Sequence, residues 1–414
     1  MANYQTRSTC RLCESEDVEL IYKMPLCPPV DNFRRVGEKE IETQSFPMNL
    51  YMCKCCGHAQ LLDVVNPIIL YGNYIYTSGS SPDLNRHFAS YAKQVIGYLN
   101  LAPGVKILDV GSNDGLLLSK FKDLGFTVLG VDPSEFVASR ASERGIRTEI
   151  GFFDLEMVDR LLNSYGYVDL VTANNVFSHA DNLREFAKCA SAVLSENGAF
   201  VFEVSYLKDL VDHLVIDYVY HEHLCHHSVK PLKQFLALCG LKLINIERVK
   251  TKGGSIRCYS VKAQNSIVPS PIVERMIDEE IAAGLYSHST YQALHAKMDE
   301  ISFDVRQYLG QVLADGGSVA AYGASATSTV LNAIMQIDHL VSFIVDDNSE
   351  RQHRLSPGSM VPVLGASALV EYRPRCVVLS AWRFAPEIIS RNQEYLAAGG
   401  VFVVPLPELK VIKQ

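Results

Sequence analysis

At 414 residues the chain is longer than one ordinary domain, so two or three are expected. A composition of 48% hydrophobic and 20% charged residues is that of a soluble globular protein, and a formal charge of -8 gives no global attraction to nucleic acid. No apolar run approaches the ~20 residues of a membrane span, and the opening MANYQTRSTCRLC has no apolar signal core, so a cytoplasmic protein without a membrane partner is expected.

Six of the eleven cysteines crowd the amino end: Cys10, Cys13, Cys27, Cys53, Cys55 and Cys56. In a reducing compartment such clustering favours metal over disulfides. A CxxC turn points two thiolates at one centre, and two such knuckles close a tetrahedron around zinc. Cys10, Cys13, Cys53 and Cys56 have that spacing, with Cys55 and His58 as spare donors. Four protein ligands leave no position for water, so the zinc is expected to be structural; a disulfide or a metal-free knot is the alternative. This module is assigned residues 1–66, and Leu26 to Asn32, with two prolines, reads as an extended loop.

Residues 67–265 read as a nucleotide-type α/β domain. Val105 to Val110 is a short apolar strand that enters the turn Gly111-Ser112-Asn113-Asp114-Gly115, after which Leu116 starts a helix. Glycine lets the backbone approach a ligand, and the helix start offers unpaired N–H groups. A second strand, Phe126 to Val131, ends at Asp132-Pro133-Ser134, where an acid suits the two hydroxyls of a ribose. Two further segments fit the same plan: Gly151-Phe152-Phe153-Asp154, and a strand from Val168 to Asn174 that leads to Asn175-Val176-Phe177-Ser178-His179. The glycine pattern is not GxGxxG, because position 113 is Asn, and a bound nicotinamide dinucleotide is the competing reading.

The run Tyr218 to Ser228 packs four histidines, Glu222 and two tyrosines beside this cleft. Imidazoles titrate near neutrality, so the cluster suggests proton transfer; a metal site or hydrogen-bonded surface histidines is the plain alternative. From Ile272 to about Leu313 the pattern is helical, within a linker of 266–314. Residues 315–414 repeat the strand, turn and helix grammar. Apolar strands begin near Val319, Val341, Cys376 and Val401, and the turn from Gly323 to Thr327 is small and hydroxyl-rich, suited to a phosphate.

D-V-G-S-N-D-G resembles motif I of class I S-adenosylmethionine methyltransferases, and Val131 to Ser134 resembles their second motif. The resemblance implies a Rossmann-like fold and a cofactor site drawn from Gly111, Asn113, Gly115, Asp132, Pro133, Asp154 and Asn174. The whole order of motifs goes further. The CxxC pairs, Tyr74 to Ser81, NNVFSHADN, VYHEHLCHHS, KGGSIRC and AYGASAT together resemble the zinc-containing nucleotide-sugar C-methyltransferases, from Cys10 to about Pro407. That family acts at C-3 of dTDP-linked 4-keto-6-deoxy sugars. The match implies His223 as the base, Glu222 and Tyr220 beside it, His179 near the sugar, and Tyr76 and Ser78 closing over the cofactor. It also implies that the last domain, through Tyr322, Ser325 and Thr327, helps hold the nucleotide.

The chemistry stands apart from the family. A hydrogen on carbon beside a ketone can be removed by a neutral imidazole if the enolate is stabilised, and Tyr220 or His179 can hold the charge on the C-4 oxygen. His221 is expected to be structural, and His226 and His227 non-catalytic. Glu222 orients the base on this reading and makes a surface salt bridge on the alternative. Two departures touch the nucleotide: the family turn G-A-S-A-K-G here ends Thr327-Ser328, and Arg351-Gln352-His353-Arg354 stands where a lysine is common. dTDP is favoured, with GDP, UDP and CDP as alternatives. The oligomeric state is not legible, though a monomer is plausible. The competing functions are a zinc-ribbon nucleic-acid methyltransferase and a non-catalytic nucleotide-sugar-binding protein; charge argues against the first, and the intact turn and Y-H-E-H against the second.

Overall fold

The computed structural model describes residues 3–37, 44–71, 79 and 82–414, and three larger sheets organise them. The amino-terminal sheet is antiparallel, built from Val18–Tyr22, Leu50–Cys53 and Ala59–Leu61. Its fourth strand comes from far along the chain: Cys225–His226 pairs with Gln60 and Ala59. The histidine cluster is therefore not a free loop. The pairing fixes it to the module that carries the CxxC knuckles.

The middle sheet has seven strands, in the order Leu241–Val249, Ser255–Lys262, Leu194–Ser205, Val168–Asn174, Lys106–Val110, Thr127–Asp132 and Thr148–Ile150. Its central strands are almost wholly buried, which is why they read as unbroken apolar runs. All pairings are parallel except those of Ser255–Lys262, which runs antiparallel to both neighbours. Lys106–Val110 lies between Thr127–Asp132 and Val168–Asn174, so strand order reverses beside the glycine turn. Open α/β sheets bind ligands at such a reversal. This is a Rossmann-like α/β fold.

Two helices, Ile272–Ala282 and His288–Ala314, follow. Glu280 of the first is buried and accepts hydrogen bonds from Tyr206, Tyr286 and the backbone N–H groups of Val229 and Lys230. Its charge thus sits at the start of the helix Val229–Leu238, where the helix dipole favours an anion. That helix directly follows the histidine cluster, so the linker braces the cluster from behind.

The last sheet runs Val363–Leu364, Ile344–Val345, Val319–Tyr322, Cys376–Leu379, Val401–Val404 and Lys410–Ile412, parallel until the final antiparallel pair. The strand expected from Val341 narrows to Ile344–Val345, because Asp346 turns inward to accept from the N–H groups of Ala324 and Asn348. Several contacts join this domain to the rest, an ion pair of Arg351 with Asp31 among them. Arg34–Arg35 pairs with Arg354–Leu355, and Arg383 and Trp382 both donate to the buried carboxylate of Asp217. Among the described residues no helix is long and apolar enough to cross a membrane.

Candidate active site

At the amino end the Sγ atoms of Cys10, Cys13, Cys53 and Cys56 all lie within 4.8 Å of one another. Cys10 and Cys56 stand 3.7 Å apart, and Cys13 and Cys53 3.5 Å. A tetrahedron with Zn–S bonds of ~2.3 Å has edges of ~3.8 Å, so this donor set fits a zinc ion with all positions filled by thiolate. The two spare donors stay apart: Cys55 is exposed, and His58 is buried with its ring 5.5 Å from that of His227.

A cavity of ≈ 1660 Å³ runs between the middle and last domains. Its cofactor end is the reversal point of the middle sheet. Gly111 has φ 69°, and a Cβ there would meet Val176 Cγ2 at 2.2 Å, so only glycine fits. Asp132 accepts from the backbone N–H groups of Asn113 and Ser134, both at 2.9 Å, which closes the turn against the next strand. Asp109, Asp132 and Asp154 all border the cavity. An acidic wall suits a ligand that carries a sulfonium and an ammonium. Asn174 borders it too, and neither its amide oxygen nor its nitrogen has a partner among the described residues. Buried polar atoms without partners are uncommon and mark where a ligand's polar groups fit. S-adenosylmethionine therefore fits this end.

Not every residue expected here faces the cavity in the same way. Gly115, with φ 72°, caps the helix Leu116–Asp123 and stands behind the wall. Asp154 uses one oxygen to cap Leu155–Ser164 through the Met157 N–H at 2.9 Å. Pro133 is part of the wall. Tyr76 and Ser78 lie outside the described residues. Asp109 was not anticipated: wholly buried, its carboxyl is pushed up to about 7 by burial, against the 2.6 Å hydrogen bond from Thr172 Oγ1. Its place within the D-V-G-S-N-D-G motif was the available signal.

The catalytic candidates meet in the middle of the cavity. His223 Nδ1 lies 2.8 Å from the carbonyl oxygen of Tyr218. A carbonyl only accepts, so Nδ1 carries the proton and Nε2 keeps its lone pair. The His223 ring is 3.9 Å from that of Tyr220 and 5.1 Å from that of His179, centroid to centroid. Burial, and then the neighbouring His179, hold the His223 pKa well below the ordinary range. Burial lowers His179 to about 3. Both imidazoles are neutral at pH 7. Glu222 moves the other way: burial, then the charge of Asp31, raises it to about 8. Instead of an exposed salt-bridge partner, Glu222 is a buried acid, largely protonated at neutral pH.

The remaining histidines have structural contacts. His221 Nε2 lies 3.2 Å from the Phe46 carbonyl of the amino-terminal module. His226 is in the added strand, and the His227 ring stacks on Phe177 at 5.5 Å. On its other flank the segment is held by bonds from Cys225 N–H to Ser178 O and from Leu207 N–H to His227 O.

The far wall comes from the last domain. Ser325 and Thr327 face the cavity, whereas Tyr322 does not: its hydroxyl donates to Asp347 at 2.7 Å inside the domain. Thr327 Oγ1 accepts from Arg383 at 3.1 Å. Arg351, Arg383 and Lys410 add positive charge to this wall. Arg383 and Lys252 are, like Asp109, cavity residues with no role assigned from the sequence; Lys252 opens the KGGSIRC segment, and Arg383 lies in no motif.

Three family models match in succession. A zinc binding domain matches residues 10–71, a methyltransferase domain 84–246, and a C-methyltransferase C-terminal domain 250–407. The C-methyltransferase NovU of Streptomyces niveus is 29% identical over 404 residues, which span 97% of this chain and 96% of NovU. A ubiquinone biosynthesis O-methyltransferase of Caulobacter sp. (strain K31) is 32% identical over 102 residues, 24% of this chain and 40% of that protein. Among solved structures, magnesium protoporphyrin IX methyltransferase from Synechocystis PCC 6803 gives a TM-score of 0.35 at 14% identity, covering 45% of this chain and 90% of that one.

Proposed function

The chain is an S-adenosylmethionine-dependent C-methyltransferase with an amino-terminal zinc-binding module, and from that premise we propose that it methylates a nucleotide-linked 4-keto deoxysugar. The acceptor on this reading is the carbon beside the C-4 ketone, C-3, and dTDP is the favoured nucleotide. The observation that carries the reading is the setting of His223. Its Nδ1 is occupied by a carbonyl, its Nε2 has no hydrogen bond among the described residues, and it lies in one cavity with the cofactor turn and the start of the helix Ala326–Met335.

His223 Nε2 takes the proton from the carbon, and the electron pair moves onto the ketone oxygen as an enolate. On this reading Tyr220 and the neutral His179 donate hydrogen bonds to that oxygen. When bound, S-adenosylmethionine supplies an already activated methyl, which the carbon takes as the ketone re-forms and a neutral thioether leaves. Gly111, Asn113, Asp132, Pro133, Asp154 and Asn174 would hold it. The proton stays on His223 until it passes to solvent. Zinc, on Cys10, Cys13, Cys53 and Cys56, would fix the sheet to which Cys225–His226 is paired, and with it the position of the base.

The test is a screen of 4-keto nucleotide sugars, each incubated with S-adenosylmethionine and read by mass spectrometry. A mass gain of one methyl, removed by prior reduction of the ketone, is expected. A methyl gain on RNA, or on a sugar without a keto group, would overturn the assignment.

A further inference from the structure

Lys252 has no role in the mechanism above, yet it borders the same cavity as His179, Tyr220, Glu222 and His223. It lies on the turn between the strands Leu241–Val249 and Ser255–Lys262. Its backbone is left-handed, at φ 55° and ψ 33°, a conformation that costs a residue with a side chain. The two glycines that follow hold it there. Gly254 has φ 128°, and a Cβ on it would meet the Asp209 side chain at 2.3–2.5 Å. A Cβ on Gly253 would meet Val215 at 3.0 Å. The turn is thus pressed against Val215 and Asp209, and its two lysines, Lys250 and Lys252, both border the cavity.

Its charged surroundings come from four elements. Glu203 lies near the end of the strand Leu194–Ser205, His179 follows Val168–Asn174, Glu222 and His223 belong to the histidine cluster, and Arg383 packs its Cδ beside Gly253. The ordinary explanation of such a lysine is a counter-ion for Glu203. That carboxylate is already occupied: it accepts from His87 at 2.8 Å, Thr251 at 3.1 Å, and Arg257 twice at 3.2 Å. Among the described residues the Lys252 ammonium has no hydrogen bond or ion pair of its own. Both histidines beside it are neutral. It therefore brings an uncommitted positive charge beside His179 and His223, on the cavity that Lys250 and Arg383 also border.

We infer that Lys252 is a further catalytic residue, whose ammonium stabilises the enolate oxygen while His223 holds the abstracted proton. This rests on the function proposed above. Two uncharged donors leave a full negative charge in a site screened from water, and an ammonium matches it there more strongly than in bulk. Lys252 keeps its proton throughout; it neither accepts the one from carbon nor forms a bond to the sugar. Burial lowers its pKa to about 8, with Glu203 and Glu222 opposing. The charged form therefore prevails below about pH 8 and is lost above it.

The experiment measures kcat/KM against pH for the wild type, Lys252→Arg and Lys252→Met, on a sugar that the wild type methylates. The wild type should lose activity above about pH 8. Lys252→Arg should carry its activity at least one pH unit higher, because guanidinium stays charged. Lys252→Met should be slower by about 10²–10³-fold at pH 7, with S-adenosylmethionine affinity by calorimetry and zinc content unchanged. Turnover of Lys252→Met within threefold of wild type would overturn the inference. So would a Lys252→Arg falling limb that coincides with the wild type's, and this second criterion stands even if the Met variant does not fold. If no keto sugar is methylated by the wild type, the proposed function itself is wrong, and the inference falls with it for that separate reason.

Discussion

The two α/β domains use the same device to close their first turn, with different consequences. In the middle domain Asp132 accepts from the N–H groups of Asn113 and Ser134; in the last domain Asp346 accepts from those of Ala324 and Asn348. Each carboxylate ends the neighbouring strand and ties the turn to it. Only Asp132 also borders the cavity. Beside Asp346 stands Arg351, at 3.9 Å, and the surface offered to a ligand is instead Ser325 and Thr327 with Arg383 behind them. One turn thus presents an acidic wall and the other hydroxyls and a guanidinium. The shared backbone sets where a ligand rests; the side chains decide its charge.

This contrast assigns the chemistry to one side and substrate holding to the other, and variants can break it. The largest effect is expected at the base. His223→Asn should lower turnover by about 10²–10⁴-fold while both ligands still bind by calorimetry; a loss of binding instead would make the residue structural. Next is Arg383→Ala, which leaves buried Asp217 without its counter-charge. Thermal or denaturant unfolding should report a loss of about 3–5 kcal/mol, and the KM for the nucleotide sugar should rise. Asp132→Ala should weaken S-adenosylmethionine binding by about 1–3 kcal/mol and leave nucleotide affinity alone. The smallest effect belongs to Thr327→Val, with about 1 kcal/mol lost in nucleotide-sugar binding and none in cofactor binding. Crossed effects in the last pair would show that the two turns do not divide the ligands.

The same contrast marks what the sequence made legible. The Gly111 to Gly115 turn, the acid at 132 and the four cysteines were readable because each depends on local spacing: a positive φ, a helix start, a CxxC turn. The strand formed by Cys225–His226 was not, because its pairing partners lie at Gln60 and Ala59 and local pattern carries no register between distant segments. Arg383 and Lys252 escaped for a related reason. The first owes its place to Asp217 across a domain boundary, and the second to glycines pressed on Val215 and Asp209. Tyr322 was drawn into the candidate site by its turn, but its side chain points from the strand toward Asp347.

The central claim is that His223 generates a carbanion beside a ketone before any methyl moves. With a 4-keto nucleotide sugar in deuterated water, and S-adenosylhomocysteine in place of the methyl donor, proton abstraction is isolated from transfer. The wild type should wash one deuterium into the carbon beside the ketone, seen by NMR or mass spectrometry, and His223→Asn should not. Exchange in the variant as fast as in the wild type would contradict the assignment of the base.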